Sequence, residues 1–132
     1  MTPQMDYSEK PNGKGLKRII KAAYCSYKGF KAAYQHEAAF RQELLMCAIL
    51  TPISFFLANS ITQLMVLLMT LAFVLFAEII NSAIEALADK ITLEHDELIG
   101  RAKDLGSAGV FIAFCLMVFC WGYAIFERFF AG

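Results

Sequence analysis

The sequence predicts an all-α membrane protein: three transmembrane helices preceded by an N-terminal amphipathic helix on the membrane surface. Three observations carry this. Of 132 residues, 58% are hydrophobic and only 18% charged, whereas a soluble domain is typically ~45–50% apolar and ~25% charged. Two long runs carry no charge, Leu44–Ala77 and Leu105–Phe126. The basic residues are segregated: eight of the twelve lie between Lys10 and Arg41, three more are Lys90, Arg101 and Lys103, and Arg128 stands apart. Such segregation suits a membrane topology. It argues against a nucleic-acid protein, whose basic residues would form one continuous patch.

Residues 1–15 read as a disordered start, punctuated by Pro3, Pro11, Gly13 and Gly15. No short apolar stretch ends at a small-residue cleavage pattern before residue 40, so no cleavable signal peptide is expected. The surface helix is predicted over 16–36. Ile20, Ala23, Tyr27, Phe30 and Tyr34 recur at spacings of 3 and 4, with lysines at 14, 17, 21, 28 and 31 beside them. These stripes suit a helix lying in the interface, with its lysines toward lipid headgroups.

The 34 residues Leu44–Ala77 would span about 51 Å as one helix at ~1.5 Å per residue. That exceeds the ~30 Å hydrocarbon core, so the run must break, and Asn59-Ser60 is the turn. This gives spans at 40–58, with Pro52 inside it, and 61–88. The third span is 105–128, built on the 22 uncharged residues Leu105–Phe126. The positive-inside rule puts the N-terminal segment and the 89–104 loop, with eleven basic residues between them, in the cytoplasm. The 59–63 turn then lies outside, as does the C-terminus. The four cysteines form no C-x-x-C pair, and three sit in apolar runs where Cys acts as a small hydrophobe.

A span built only for packing would not contain Glu78, Asn81, Ser82, Glu85 and Asp89. Glu78 and Glu85 are seven residues apart, two turns on one face, with Asn81 between them. Each carboxylate near hydrocarbon costs a few kcal/mol even on lenient insertion scales. Two acids aligned with an amide make a cation-binding or acid/base face. Glu37 lies just before the first span, near the same interface as Glu85. One or two carboxylates plus substrate phosphates are what Mg²⁺ takes. Lys103 and Asp104 lie in a segment of mixed charge and glycine over 94–107, in which a solvated loop and a phosphate site are equally good readings. The chain contains neither a G-x-x-x-x-G-K-[ST] nor a G-x-G-x-x-G string, so a nucleotide site would be of neither the P-loop nor the Rossmann type.

The strings Arg18-Ile-Ile-Lys-Ala-Ala23, Glu37-Ala-Ala-Phe-Arg-Gln-Glu43, Glu78-Ile-Ile-Asn-Ser-Ala-Ile-Glu85 and Gly100-Arg-Ala-Lys-Asp104 resemble the signatures of the bacterial integral-membrane diacylglycerol kinase family. The resemblance implies a single membrane-embedded kinase domain over 16–132, assembled as a homotrimer in the bacterial inner membrane with its N-terminus cytoplasmic. It implies transfer of the ATP γ-phosphoryl group to diacylglycerol. By the same resemblance Glu78 is the general base and Glu37 and Glu85 are Mg²⁺ ligands. Nucleotide-binding positions are Arg18, Cys25, Glu37, Glu85, Glu94, His95, Asp96, Lys103 and Asp104. Lipid-substrate positions are Arg18, Ala22, Ala23, Lys31, Arg41, Glu78, Asn81 and Ser107. The chain departs from the best-known members at Tyr24-Cys25 and His95-Asp96, both on the nucleotide side. Two other readings fit the residues: the same chemistry on undecaprenol, and an oligomeric cation pathway using Glu78, Asn81 and Glu85. A purely structural membrane subunit would leave the acid stripe without a role.

Overall fold

A computed structural model describes residues 14–131; most of the disordered start expected at 1–15 lies outside the described residues. The described residues fall into two compact units that divide between His36 and Glu37. The first unit contains α1 (Leu16–His36). The second contains α2 (Ala38–Leu57), α3 (Ile61–Ile91) and α4 (Glu97–Phe129). The described residues are all-α.

The helix α1 starts where Gly15 takes φ +63°, a left-handed conformation that glycine adopts without a Cβ penalty. Its carbonyl accepts from the Arg18 and Ile19 amides at 3.2 and 3.4 Å. Within α1, Ser26 Oγ donates to the Ala22 carbonyl and the Lys28 ammonium sits 5.0 Å from the Tyr24 ring centre.

In the second unit, α2, α3 and α4 are each long and apolar enough to cross a membrane. Glu37 separates α1 from α2 with extended backbone, φ −113° and ψ 105°. Pro52 stands inside α2, where it removes one backbone donor. Hydroxyls on either side of it serve carbonyls before it: Thr51 Oγ1 donates to Cys47 O at 2.6 Å and Ser54 Oγ to Thr51 O at 2.5 Å. The turn falls where expected. Ser60 caps α3 by accepting from the Gln63 amide, while Gln63 Oε1 accepts from the Asn59 amide, a reciprocal arrangement close to a capping box.

The helices run one to three residues beyond or short of most predicted span ends, and the start of α4 differs by more. The third span begins as helix at Glu97, eight residues before the predicted 105, so the loop is confined to 92–96. Asp96 is the reason: its Oδ1 accepts from the Ile99 amide at 3.0 Å, and Glu97 places an acid in the first turn, favourable to the helix dipole. A charged first turn thus reads as loop by composition yet is helix by capping. With 31 and 33 residues, α3 and α4 reach about 46 and 50 Å and outrun a ~30 Å core.

The helix α3 is the centre of this unit. It packs most extensively on α4, then on α2, while α2 and α4 touch little. Between helices in lipid, close approach rather than hydrophobic exclusion supplies stability. Ala113 and Ala124 of α4 accordingly have no exposed surface. The apolar core is Cys47, Leu57, Leu67, Leu71, Trp121 and Ala124, all in the half nearer the α2–α3 turn. Large apolar side chains such as Phe55, Met69, Phe76 and Phe119 face outward, as lipid-exposed surface should.

Candidate active site

The other half of the bundle is polar inside. Because α2 and α3 run antiparallel from the same end, their acids fall into two tiers. The outer tier holds Glu37, at the α2 N-cap, and Glu85, both half-buried. The inner tier holds Glu43 of α2 and Glu78 of α3, 8% and 6% exposed. The Glu43 and Glu78 carboxyls lie close enough to hydrogen-bond, and Glu85 and Glu37 act electrostatically on Glu78.

Asn81 and Ser82, also buried, lie on α3 between the tiers. Asn81 Nδ2 donates to Glu85 Oε1 at 3.4 Å. Its orientation is fixed from behind by α4: a Cβ at Gly106 would collide with Asn81 Oδ1. Glycine is needed here for close approach. Glu43 Oε2, Asn81 Oδ1 and Ser82 Oγ are buried and find no hydrogen-bond partner among the described residues. Each such atom costs ~1–3 kcal/mol. One such atom within a carboxyl pair and two beside it make a poor device for stability and a good one for receiving polar groups from a bound molecule.

A second feature sits at the α3–α4 junction. Thr92, Leu93, Glu94, His95, Asp96, Ile99, Gly100 and Lys103 line a cavity of about 310 Å³. The loop is pinned by Thr92 Oγ1 accepting from the Glu94 amide and by the Asp96 cap. Lys103 Nζ donates to Asp89 Oδ1 at 2.6 Å.

The predicted site residues therefore separate into groups. Glu37, Glu78, Asn81 and Glu85 come together between α2 and α3. Glu94, His95, Asp96 and Lys103 come together around the loop cavity. Asp104 and Ser107 are exposed on α4, and neither lines that cavity. Arg41 is on the exposed side of α2. Arg18, Ala22, Ala23, Cys25 and Lys31 are exposed on α1, in the first unit, with Arg18, Ala22 and Cys25 on one face at spacings of four and three.

Sequence reasoning gave no role to Glu43, Gly106 or Asp89. Glu43 ends a motif string and stands one residue before the charge-free run, so it reads as a boundary. The signal available was its place six residues after Glu37, nearly two turns deeper. Glycine at 106 and the partner of Asp89 depend on packing across helices, which no periodicity within one helix reports.

No group of three or more metal-binding side chains occurs among the described residues. Two carboxylates, Glu37 and Glu85, nevertheless suit Mg²⁺, which binds through one or two carboxylates plus substrate phosphates. The donor set fits an ion delivered with a nucleotide and not a closed all-protein cage.

Three long apolar helices enclosing paired carboxyls and unsatisfied polar atoms define a membrane-embedded protein equipped for acid/base chemistry. Comparison with known proteins gives that class a family. Residues 24–125 match the prokaryotic diacylglycerol kinase family. The chain is 44% identical over 119 residues to the diacylglycerol kinase of Escherichia coli K12, covering 89% of this chain and 97% of that protein. It is 40% identical over 112 residues to the diacylglycerol kinase of Haemophilus influenzae, covering 85% and 95%. With that of Pseudomonas aeruginosa it shares 41% identity over 107 residues, covering 81% and 87%. The chain belongs to the prokaryotic diacylglycerol kinase family, a family of lipid kinases.

Proposed function

We propose that the chain transfers the γ-phosphoryl group of ATP to the free hydroxyl of diacylglycerol, giving phosphatidic acid, at the cytoplasmic face of a bacterial inner membrane. The observation that carries this reading is the Glu43–Glu78 carboxyl pair beside unsatisfied Asn81 Oδ1 and Ser82 Oγ. It lies inside a bundle whose adjoining end bears Lys103 and a loop cavity. A lipid acceptor arrives sideways in the bilayer and a nucleotide arrives from water, so chemistry joining them needs groups at both depths.

Glu78 takes the proton of the lipid hydroxyl as its oxygen attacks the γ-phosphorus and the bond to the β-phosphate oxygen breaks, releasing ADP. Its depth supports this role. Seven residues along α3 put it about 10.5 Å from the level of Glu85. Glu43, buried beside it, positions that carboxyl. Asn81 and Ser82 offer hydrogen bonds to the glycerol or the transferring group. Glu37 and Glu85 would hold Mg²⁺ with the nucleotide phosphates, where the ion supplies charge neutralisation, the main need of phosphoryl transfer. Lys103 meets phosphate from the loop side, and Glu94, His95 and Asp96 frame the rest of the nucleotide. Arg18, Cys25 and Asp104 are further nucleotide positions; Ala22, Ala23, Lys31, Arg41 and Ser107 are further lipid positions.

The charge pattern supports a cytoplasmic N-terminus and a cytoplasmic α3–α4 loop, and the lysine and apolar stripes of α1 support a helix lying in the interface. Family membership supports a homotrimer. It also favours diacylglycerol over undecaprenol as acceptor and leaves the cation-pathway reading without support.

The test is phosphorylation by purified protein in mixed micelles with labelled ATP, offering diacylglycerol and undecaprenol in parallel, with and without Mg²⁺. Label in phosphatidic acid only when Mg²⁺ is present is the expected result. Label in undecaprenyl phosphate alone would reassign the acceptor, and no lipid product would reject the reading.

A further inference from the structure

Asp89 closes the α3 acid stripe, one turn beyond Glu85 and on the same face. Its carboxylate reaches across the 92–96 loop to Lys103, whose Nζ lies 2.6 Å from Asp89 Oδ1. Lys103 lines the loop cavity with Glu94, His95 and Asp96, and Glu85 is close enough to act on its charge. The ammonium is therefore held between the cavity and the outer acid tier.

The pair is a weak structural device. Its side chains are 39% and 50% exposed, and ion pairs so exposed contribute little to stability. The loop does not need it for closure. The Thr92 amide donates to Ala88 O, the Gly100 amide to Asp96 O, and both loop ends carry side-chain caps. What the pair does accomplish is selection of one direction for a long, flexible side chain. An ammonium has three donors. Asp89 engages one, and the others remain for phosphate oxygens.

We propose that Asp89 is a positioning residue for the nucleotide: it holds the Lys103 ammonium at the cavity rim so that the lysine meets the phosphates of ATP already oriented. This rests on the kinase function proposed above. Ordering the lysine beforehand removes that entropic cost from nucleotide binding. Asp89 touches neither substrate and acts only through Lys103.

The experiment uses the full chain in mixed micelles and compares wild type with Asp89→Ala, Asp89→Glu, Lys103→Ala and the double alanine variant. Three quantities are read: apparent KM for ATP, apparent KM for diacylglycerol, and the Kd of a fluorescent non-hydrolysable ATP analogue. Asp89→Ala is expected to raise KM for ATP and the analogue Kd about two- to tenfold. KM for diacylglycerol and the thermal midpoint should stay in place, and Asp89→Glu should recover part of the loss. In the Lys103→Ala background, removing Asp89 should add nothing. Unchanged analogue binding in Asp89→Ala would overturn the proposal. So would full additivity with Lys103→Ala, or a parallel rise in both KM values with a lowered midpoint. A wild type that binds the analogue but phosphorylates no lipid would reject the function and leave the Kd comparison to decide the role of Asp89.

Discussion

The two ends of the α2–α4 bundle both bury polar groups, and they treat them differently. Toward the α2–α3 turn, Gln63 Nε2 donates to Glu127 Oε2 at 2.7 Å, Tyr123 OH donates to Glu127 Oε1 at 3.5 Å, and Gln63 Oε1 accepts from the Asn59 amide. Deeper in, Trp121 Nε1 donates to Thr70 Oγ1 at 3.0 Å, and that hydroxyl donates to Leu67 O. Both Glu127 oxygens are taken. At the other end, Glu43 Oε2, Asn81 Oδ1 and Ser82 Oγ have no partner among the described residues. A carboxylate between helices is thus no sign of a site by itself. Glu127 ties α3 to α4 and is satisfied, whereas Glu43 Oε2, Asn81 Oδ1 and Ser82 Oγ keep hydrogen-bonding capacity at a cost of ~1–3 kcal/mol per atom. Satisfied polar groups serve assembly, and the unsatisfied ones are those the proposed function assigns to a bound molecule.

Substitutions at the two ends should therefore fail in different ways. The largest effect is expected at Glu78. Glu78→Gln keeps size and hydrogen bonding but cannot accept the proton. A general base contributes ~10²–10⁴ in rate, so kcat should fall by that order with KM for ATP nearly unchanged. Stability should hold, since a neutral amide is easier to bury than a carboxylate. Steady-state kinetics beside a thermal melt in micelles reads both. Retained kcat with a raised Mg²⁺ requirement would make Glu78 a ligand instead.

Next come Glu37→Gln and Glu85→Gln, which should raise the Mg²⁺ concentration for half-maximal rate about 10- to 100-fold. A Mg²⁺ titration at fixed ATP measures this, and an unchanged curve removes that residue from the metal set. Gly106→Ala should come third. Its new Cβ displaces the Asn81 carboxamide, a flexible group, so kcat should fall about tenfold with a destabilisation of about 1 kcal/mol, the low end for overpacking. Equal activity would mean that Asn81 orientation is unimportant to the chemistry.

The smallest effect on activity is expected at the satisfied end. Trp121→Phe removes the donor to Thr70 and should lower stability by about 1–2 kcal/mol while leaving the rate per folded protein unchanged. Denaturant titration in micelles, normalised against activity, reads both quantities. A loss of rate without a loss of stability would erase the distinction between the ends.

Much of this was legible in the sequence, and the illegible part has a common cause. Uninterrupted apolar runs and the Asn59-Ser60 break define the spans because hydrocarbon tolerates little else. Glu78, Asn81 and Glu85 are visible as a stripe because they share one helix and its period. The start of α4 is hidden because Glu97, Arg101 and Lys103 look like a solvated loop, while the Asp96 cap makes them helix. Glu43 is hidden because its meaning comes from Glu78, on another helix. Gly106 against Asn81, and Lys103 against Asp89, are likewise pairings between elements. Periodicity reports which face a residue occupies; the register of antiparallel helices decides what it faces.

The claim that the unsatisfied end is where the lipid reacts can be tested by photolabelling the purified protein in micelles. The probe is a diacylglycerol bearing a diazirine beside its free hydroxyl, and adducts are mapped by mass spectrometry. Adducts within the 37–50 and 74–85 segments, competed away by unlabelled diacylglycerol, are the predicted result. Competed adducts at Gln63, Tyr123 and Glu127, with none near Glu43 and Glu78, would contradict it.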